Sequence, residues 1–203
     1  MIARYELNYV RRFTVFLSSP GDVREERRQA LELLSSFARK RRYIDRATVS
    51  VVSWDDPEEP SPALLNEAPQ SVINDYKRRP SDCDLTVAIV WSRLGTPLSK
   101  ETFARADGTG FSSGTVWEIE DALSANRPVL VFFSQKPLPR KRTAEEKMQT
   151  DRLDAYLEGL LGGQSGAAAG RIQEFDGPGQ FVRLLEKGKR SSDRVVPAAE
   201  QSG

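Results

Sequence analysis

Short apolar runs alternate with segments whose apolar residues recur at helical spacing, and this alternation constrains the fold more than any other feature. Phe13-Thr14-Val15-Phe16-Leu17 reads as a buried strand, being short, β-branched and aromatic. A helix from about Pro20 to Arg41 follows, with Val23, Ala30, Leu31, Leu34, Phe37 and Ala38 on one face. The basic run Arg39-Lys40-Arg41-Arg42 suits the negative end of that helix. Thr48 to Ser53 reads as the second strand, and the acidic, proline-rich loop Trp54 to Pro60 leads to a short helix over Gln70 to Arg78. Leu85 to Trp91 is the most continuously apolar run and belongs at the centre of a sheet. A helix over Gly114 to Asn126, a strand over Pro128 to Phe133 and a basic helix over Thr143 to Leu161 continue the pattern. GGQSGAAAG, Gly162 to Gly170, is expected to be a flexible connection to an edge strand at Arg171 to Phe175 and a last helix at Gly179 to Lys187.

Strands that alternate with helices predict an α/β domain with a parallel sheet and helices on both faces. Five strands point to the flavodoxin-like order 2-1-3-4-5, which reverses between strands one and three. Ligands of such sheets bind beyond the carboxyl ends of the strands at that reversal. The loops expected to meet there are Ser18 to Asp22 and Trp91 to Thr96. The 203 residues divide into an N-terminal extension (1–11), one α/β domain (12–187) and a polar tail (188–203) expected to be disordered.

Histidine is absent, which excludes the Ser-His-Asp triad, the Cys-His pair and the usual zinc sites, and no metal site is expected. A formal net charge of +1 argues for neither a specific nucleic-acid partner nor a membrane surface. The lone Cys83 excludes an internal disulfide, and it reads as a packed, inert thiol. With no long apolar run and no signal-peptide core in MIARYELNYVRR, the expected location is cytoplasmic.

Three segments bear residues suited to chemistry. In Ser18-Ser19-Pro20-Gly21-Asp22, Ser19 has the spacing of an N-cap, with Pro20 at the first helical position and Asp22 at the third. The same turn offers hydroxyls and a close-approaching Gly21 to a phosphate or ribose, and Asp22 suits a ribose hydroxyl. In Trp91-Ser92-Arg93-Leu94-Gly95-Thr96-Pro97, the indole suits stacking on a base and the guanidinium suits a phosphate. Their alternatives are a Trp that closes the core and a surface ion pair. In Ser112-Ser113-Gly114-Thr115-Val116-Trp117-Glu118, Thr115 and Glu118 have capping-box spacing, and Glu118 lies off the apolar stripe after the Gly-rich stretch Leu94 to Ser113, which is expected to be a lid, a binding loop or disordered. The alternative is a carboxylate, with Ser113 beside it, that faces the ligand crevice.

Taken in order, V-F-L-S-S-P-G-D-V-x-x-E-R, C-D-L-x-V-A-I-V-W-x-R-x-G-T-P and S-G-T-x-x-E-x-x-x-A-L resemble an uncharacterised family of bacterial TIR-like domains, often found at the N-terminus of STAND-type signalling NTPases and defence proteins. The resemblance covers about Phe13 to Phe133 and implies the same flavodoxin-like order. Some TIR domains cleave the N-glycosidic bond of NAD with a glutamate on the helix after the third strand, six residues beyond a serine. The resemblance carries that role to Glu118, six beyond Ser112, with Glu120 as the fallback. It implies no tightly bound cofactor, with NAD or a related nucleotide as substrate or ligand. Ser18, Ser19, Gly21, Asp22, Trp91, Arg93, Gly95, Thr96 and Ser113 would then surround the nucleotide. The alternatives are a nucleotide sensor and a non-catalytic module that works by self-association or with a STAND-type partner.

Overall fold

The computed structural model describes residues 11–37, 47–53, 78–100, 103–162 and 172–192. Strands β1 (Arg11–Ser18), β2 (Ala47–Val52), β3 (Leu85–Val90), β4 (Val129–Ser134) and β5 (Ile172–Phe175) form one sheet. Its order is β2-β1-β3-β4-β5, and every pairing is parallel. The helices are α1 (Arg24–Phe37), α2 (Gly114–Ser124), α3 (Ala144–Gly162) and α4 (Pro178–Ser192), with a 3₁₀ turn at Pro80–Asp82 before β3. The predicted fold class and strand order are both present.

Period-two alternation along the strands builds two cores. Val15 and Leu17 of β1 and Val87 and Ile89 of β3 pack against Ala30 and Leu34 of α1 and Phe181 and Leu185 of α4. Ala88 and Val90 of β3 and Val129 and Val131 of β4 pack against Val116 and Ile119 of α2 and Leu153 and Leu157 of α3. All six residues of β3 are buried, as a central parallel strand requires. Each buried side chain of this size contributes about 1.5–3 kcal/mol, so the β3 seam anchors both layers.

Several boundaries differ from the sequence reading. α1 starts at Arg24, not Pro20, because long-range bonds claim the preceding turn. α4 continues to Ser192, past Lys187; its last turn, Gly188-Lys189-Arg190-Ser191-Ser192, has no apolar residue to register a helical period. The expected helix at Gln70 to Arg78 lies outside the described residues except for Arg78, which is not helical. The same holds for residues 38–41 of the first helix, the Trp54 to Pro60 loop and the 163–170 connection.

The described residues 103–113 of the Gly-rich stretch before α2 are held by specific contacts. Ala104 and Gly110 form an antiparallel bridge, and Gly108 turns the chain at φ 80°. Arg105 pins this turn to α2: its Nε and Nη2 each donate to Glu120 at 2.8 Å, and Nη1 donates to the Gly110 carbonyl at 2.6 Å. That hydrogen-bonded carboxylate holds the guanidinium above its usual pKa. Phe103 closes the other side, edge-on to Trp117 at 5.5 Å.

Candidate functional site

The turn after β1 is locked from below. Arg27, one turn into α1 and buried, donates Nε to Ser19 Oγ at 2.5 Å and Nη2 to the carbonyls of Ser19 and Pro20 at 3.0 and 2.9 Å. The first α1 backbone bond instead runs from Arg27 N to the Val23 carbonyl. Ser19 is therefore not an N-cap, and the capping box expected over Ser19 to Asp22 is absent. Asp22 turns away to the loop after β3, where Oδ2 accepts from Ser92 N at 3.1 Å and Ser92 Oγ at 2.7 Å. Two loops 70 residues apart in sequence are thereby tied together at the reversal of strand order.

Strand alternation sets the direction of Ser18. It shares the face of Phe16, opposite Val15 and Leu17, and so points toward α2. There its Oγ donates to Glu118 Oε2, and both residues are buried. The N-cap of α2 is Ser113, whose Oγ accepts from Val116 N at 3.2 Å. Glu118 thus sits in the second turn of α2, not at the third helical position, and the Thr115–Glu118 capping box is also absent. Glu120, the fallback, is committed to Arg105 on a different side of the helix.

The loop after β3 lines an open cleft of about 620 Å³, within the ~300–1,000 Å³ typical of small-molecule sites. Asp22, Trp91, Arg93, Gly95 and Thr96 form one wall. The opposite wall comes from the segment after β4 and the start of α3, including Pro139, Arg142, Glu146 and Thr150. Trp91 is fixed: Nε1 donates to the Lys136 carbonyl at 3.0 Å, with Lys136 Nζ 5.8 Å from the ring centroid. Lys136 also ion-pairs with the buried Glu26 of α1. Arg93 is half exposed, with Nε 3.7 Å from Asp22 Oδ1. Gly21 leaves room for it, since a Cβ there would lie 3.2 Å from Arg93 Nη2.

The expected ligand residues therefore divide. Asp22, Trp91, Arg93, Gly95 and Thr96 share the cleft, while Ser18, Ser19, Ser113 and Glu118 are buried behind it. Gly95 stands between the two groups at φ 101°; a Cβ on it would lie 3.6 Å from Thr115 Oγ1 and 3.9 Å from Ser113 Cβ. Thr96 joins the same strip, its carbonyl accepting from Gly114 N at 3.3 Å.

Sequence reasoning did not find the far wall. Thr143 and Glu146 form a reciprocal capping box, with Thr143 N donating to Glu146 Oε2 at 2.7 Å and Glu146 N to Thr143 Oγ1 at 3.1 Å. Its T-x-x-E spacing was visible in the sequence. Arg142 Nη1 donates to Thr150 Oγ1 at 3.1 Å within the same segment, whereas the Thr150 hydroxyl's 3.1 Å approach to the Ser92 carbonyl carries no sequence signal, because it joins elements 58 residues apart. Among the described residues, no cluster of His, Cys, Asp and Glu is arranged to hold a metal ion. No described helix is long and apolar enough to cross a membrane.

The family model described as "Domain of unknown function (DUF4062)" matches residues 14–187. The chain belongs to this family. The match includes every strand after the first residues of β1 and both walls of the cleft. No curated protein matches the chain. Among solved structures, the chain is similar to the FeoB G-domain from Methanococcus jannaschii, with 12% identity, a TM-score of 0.41, and coverage of 90% of this chain and 98% of that one.

Proposed function

We propose that this domain binds a nucleotide in the cleft at the carboxyl ends of β1, β3 and β4 and serves as a TIR-like signalling module. The observation that carries this reading is the cleft itself: its place at the reversal of strand order, its volume, and Arg93 and Arg142 in its walls. Arg93 is suited to fork onto a phosphate, and Trp91 offers an apolar surface beside it. The acidic residues of the lining, Asp22, Glu145 and Glu146, suit hydroxyl-bearing ligands better than bare polyphosphate.

A second reading, N-glycosidic cleavage of NAD, is favoured by the contact between Ser18 and Glu118. In that reaction the Glu118 carboxyl group would stabilise the oxocarbenium ion as the C–N bond breaks. Nicotinamide leaves with the bonding pair, water adds to the anomeric carbon, and one proton goes to solvent. Binding is placed first because Glu118 is not among the residues that line the cleft.

Calorimetric titration of the full chain with NAD, ADP-ribose, ATP and GTP tests the first reading. At least one should bind, and Arg93→Ala should weaken it by roughly tenfold or more, the loss of one charge-assisted contact. No binding at millimolar ligand would refute it. Nicotinamide release by concentrated wild-type protein, lost in Glu118→Ala, would establish cleavage; no release from wild type would reject it.

A further inference from the structure

Asp22 uses only half of its carboxylate. Oδ2 takes both bonds from Ser92, whereas Oδ1 is buried and accepts no hydrogen bond from any described residue. A buried carboxylate oxygen without a donor costs free energy, so it marks a place where a donor fits. Arg93 Nε lies 3.7 Å from it, too long for a hydrogen bond. Arg93 is itself half exposed, and its guanidinium lies over Gly21, where a Cβ would come within 3.2 Å of Nη2. The same cleft wall thus holds a half-exposed cation and, beside it, an acceptor oxygen with no hydrogen-bond donor.

We infer that Asp22 Oδ1 is the ribose-hydroxyl acceptor of the cleft and that Arg93 is its gate, so the ligand is a ribonucleotide in preference to a 2′-deoxyribonucleotide. This rests on the nucleotide reading and narrows it. The ligand phosphate draws the Arg93 guanidinium off Asp22, and the uncovered oxygen accepts from the sugar hydroxyl. Ser92, through its two bonds to Oδ2, holds the carboxylate in the orientation that presents Oδ1. A sugar without the hydroxyl leaves the oxygen unpaired, and that is the source of discrimination.

Titration of the full chain with ADP and GDP against their 2′-deoxy counterparts tests this. Wild type should bind the ribo form about ten- to hundredfold more tightly, the worth of one hydrogen bond to a charged group. Asp22→Asn should bind both forms equally. Arg93→Ala should weaken both forms while keeping their ratio, and circular dichroism checks that each variant is folded. Equal binding of ribo and deoxy forms by wild type overturns this inference but leaves the nucleotide reading standing. A ratio that persists in Asp22→Asn overturns it too, and assigns discrimination elsewhere. Binding of neither form overturns this inference, and the nucleotide reading falls with it only where NAD, ADP-ribose, ATP and GTP also fail to bind.

Discussion

Replacing Arg27 with methionine removes the clasp beneath the turn after β1. The guanidinium makes three hydrogen bonds to Ser19 and Pro20, and bonds to a charged donor are worth about 1.5–3 kcal/mol each before offsets. Removing a buried charge also removes its desolvation penalty, several kcal/mol, and methionine keeps part of the packing. The net loss should be about 2–4 kcal/mol. With a urea m-value of about 2 kcal/mol/M, the unfolding midpoint falls by roughly 1–2 M. Lysine at this position replaces at most part of the fork and should give an intermediate loss. In a Ser19→Ala background the methionine substitution should cost less, since one of the three bonds is already gone. An Arg27→Met variant within ~0.5 kcal/mol of wild type would show that the turn is held by strand pairing and Asp22 alone, and the reasoning would fail.

Two further outcomes follow from the same geometry. Gly95→Ala should destabilise the domain by about 1–3 kcal/mol through its φ of 101°, since the added Cβ meets only ordinary contacts; an unchanged melting temperature would argue against the strained turn. Burial pushes the Cys83 thiol from 9.0 up to about 12, so the folded chain keeps a proton that the unfolded chain releases. Its contribution to stability is present below pH 9.0 and is lost as pH rises through about 12. Stability measured across that window should fall more steeply in wild type than in Cys83→Ala, and iodoacetamide at about pH 8 should label Cys83 only in denaturant. Equal slopes, or rapid labelling of the folded protein, would contradict the buried placement.

Hydrophobic periodicity was enough for the sheet. A continuous apolar run such as Leu85 to Val90 has few places to go other than the middle of a parallel sheet, and alternation with helical segments restricts the connections. The loops that meet at the reversal followed from that order, and with them Asp22, Trp91, Arg93, Gly95 and Thr96. Local spacing misled at both expected capping boxes. Ser19 and Glu118 have the right intervals, yet Arg27 and Ser18 bind them more favourably in three dimensions. At Thr143 and Glu146 the same spacing does produce a capping box.

The five strands, the four described helices to within several residues of their ends, and the order of the sheet were legible in the amino-acid sequence. These depend on short-range periods and on chain connectivity. Which polar groups meet was settled by packing in three dimensions: Ser18 with Glu118, Asp22 with Ser92, and Arg105 with Glu120. The reason is that a hydrogen bond is fixed to a few tenths of an ångström by the packing of elements distant in sequence, whereas hydrophobic burial tolerates many partners.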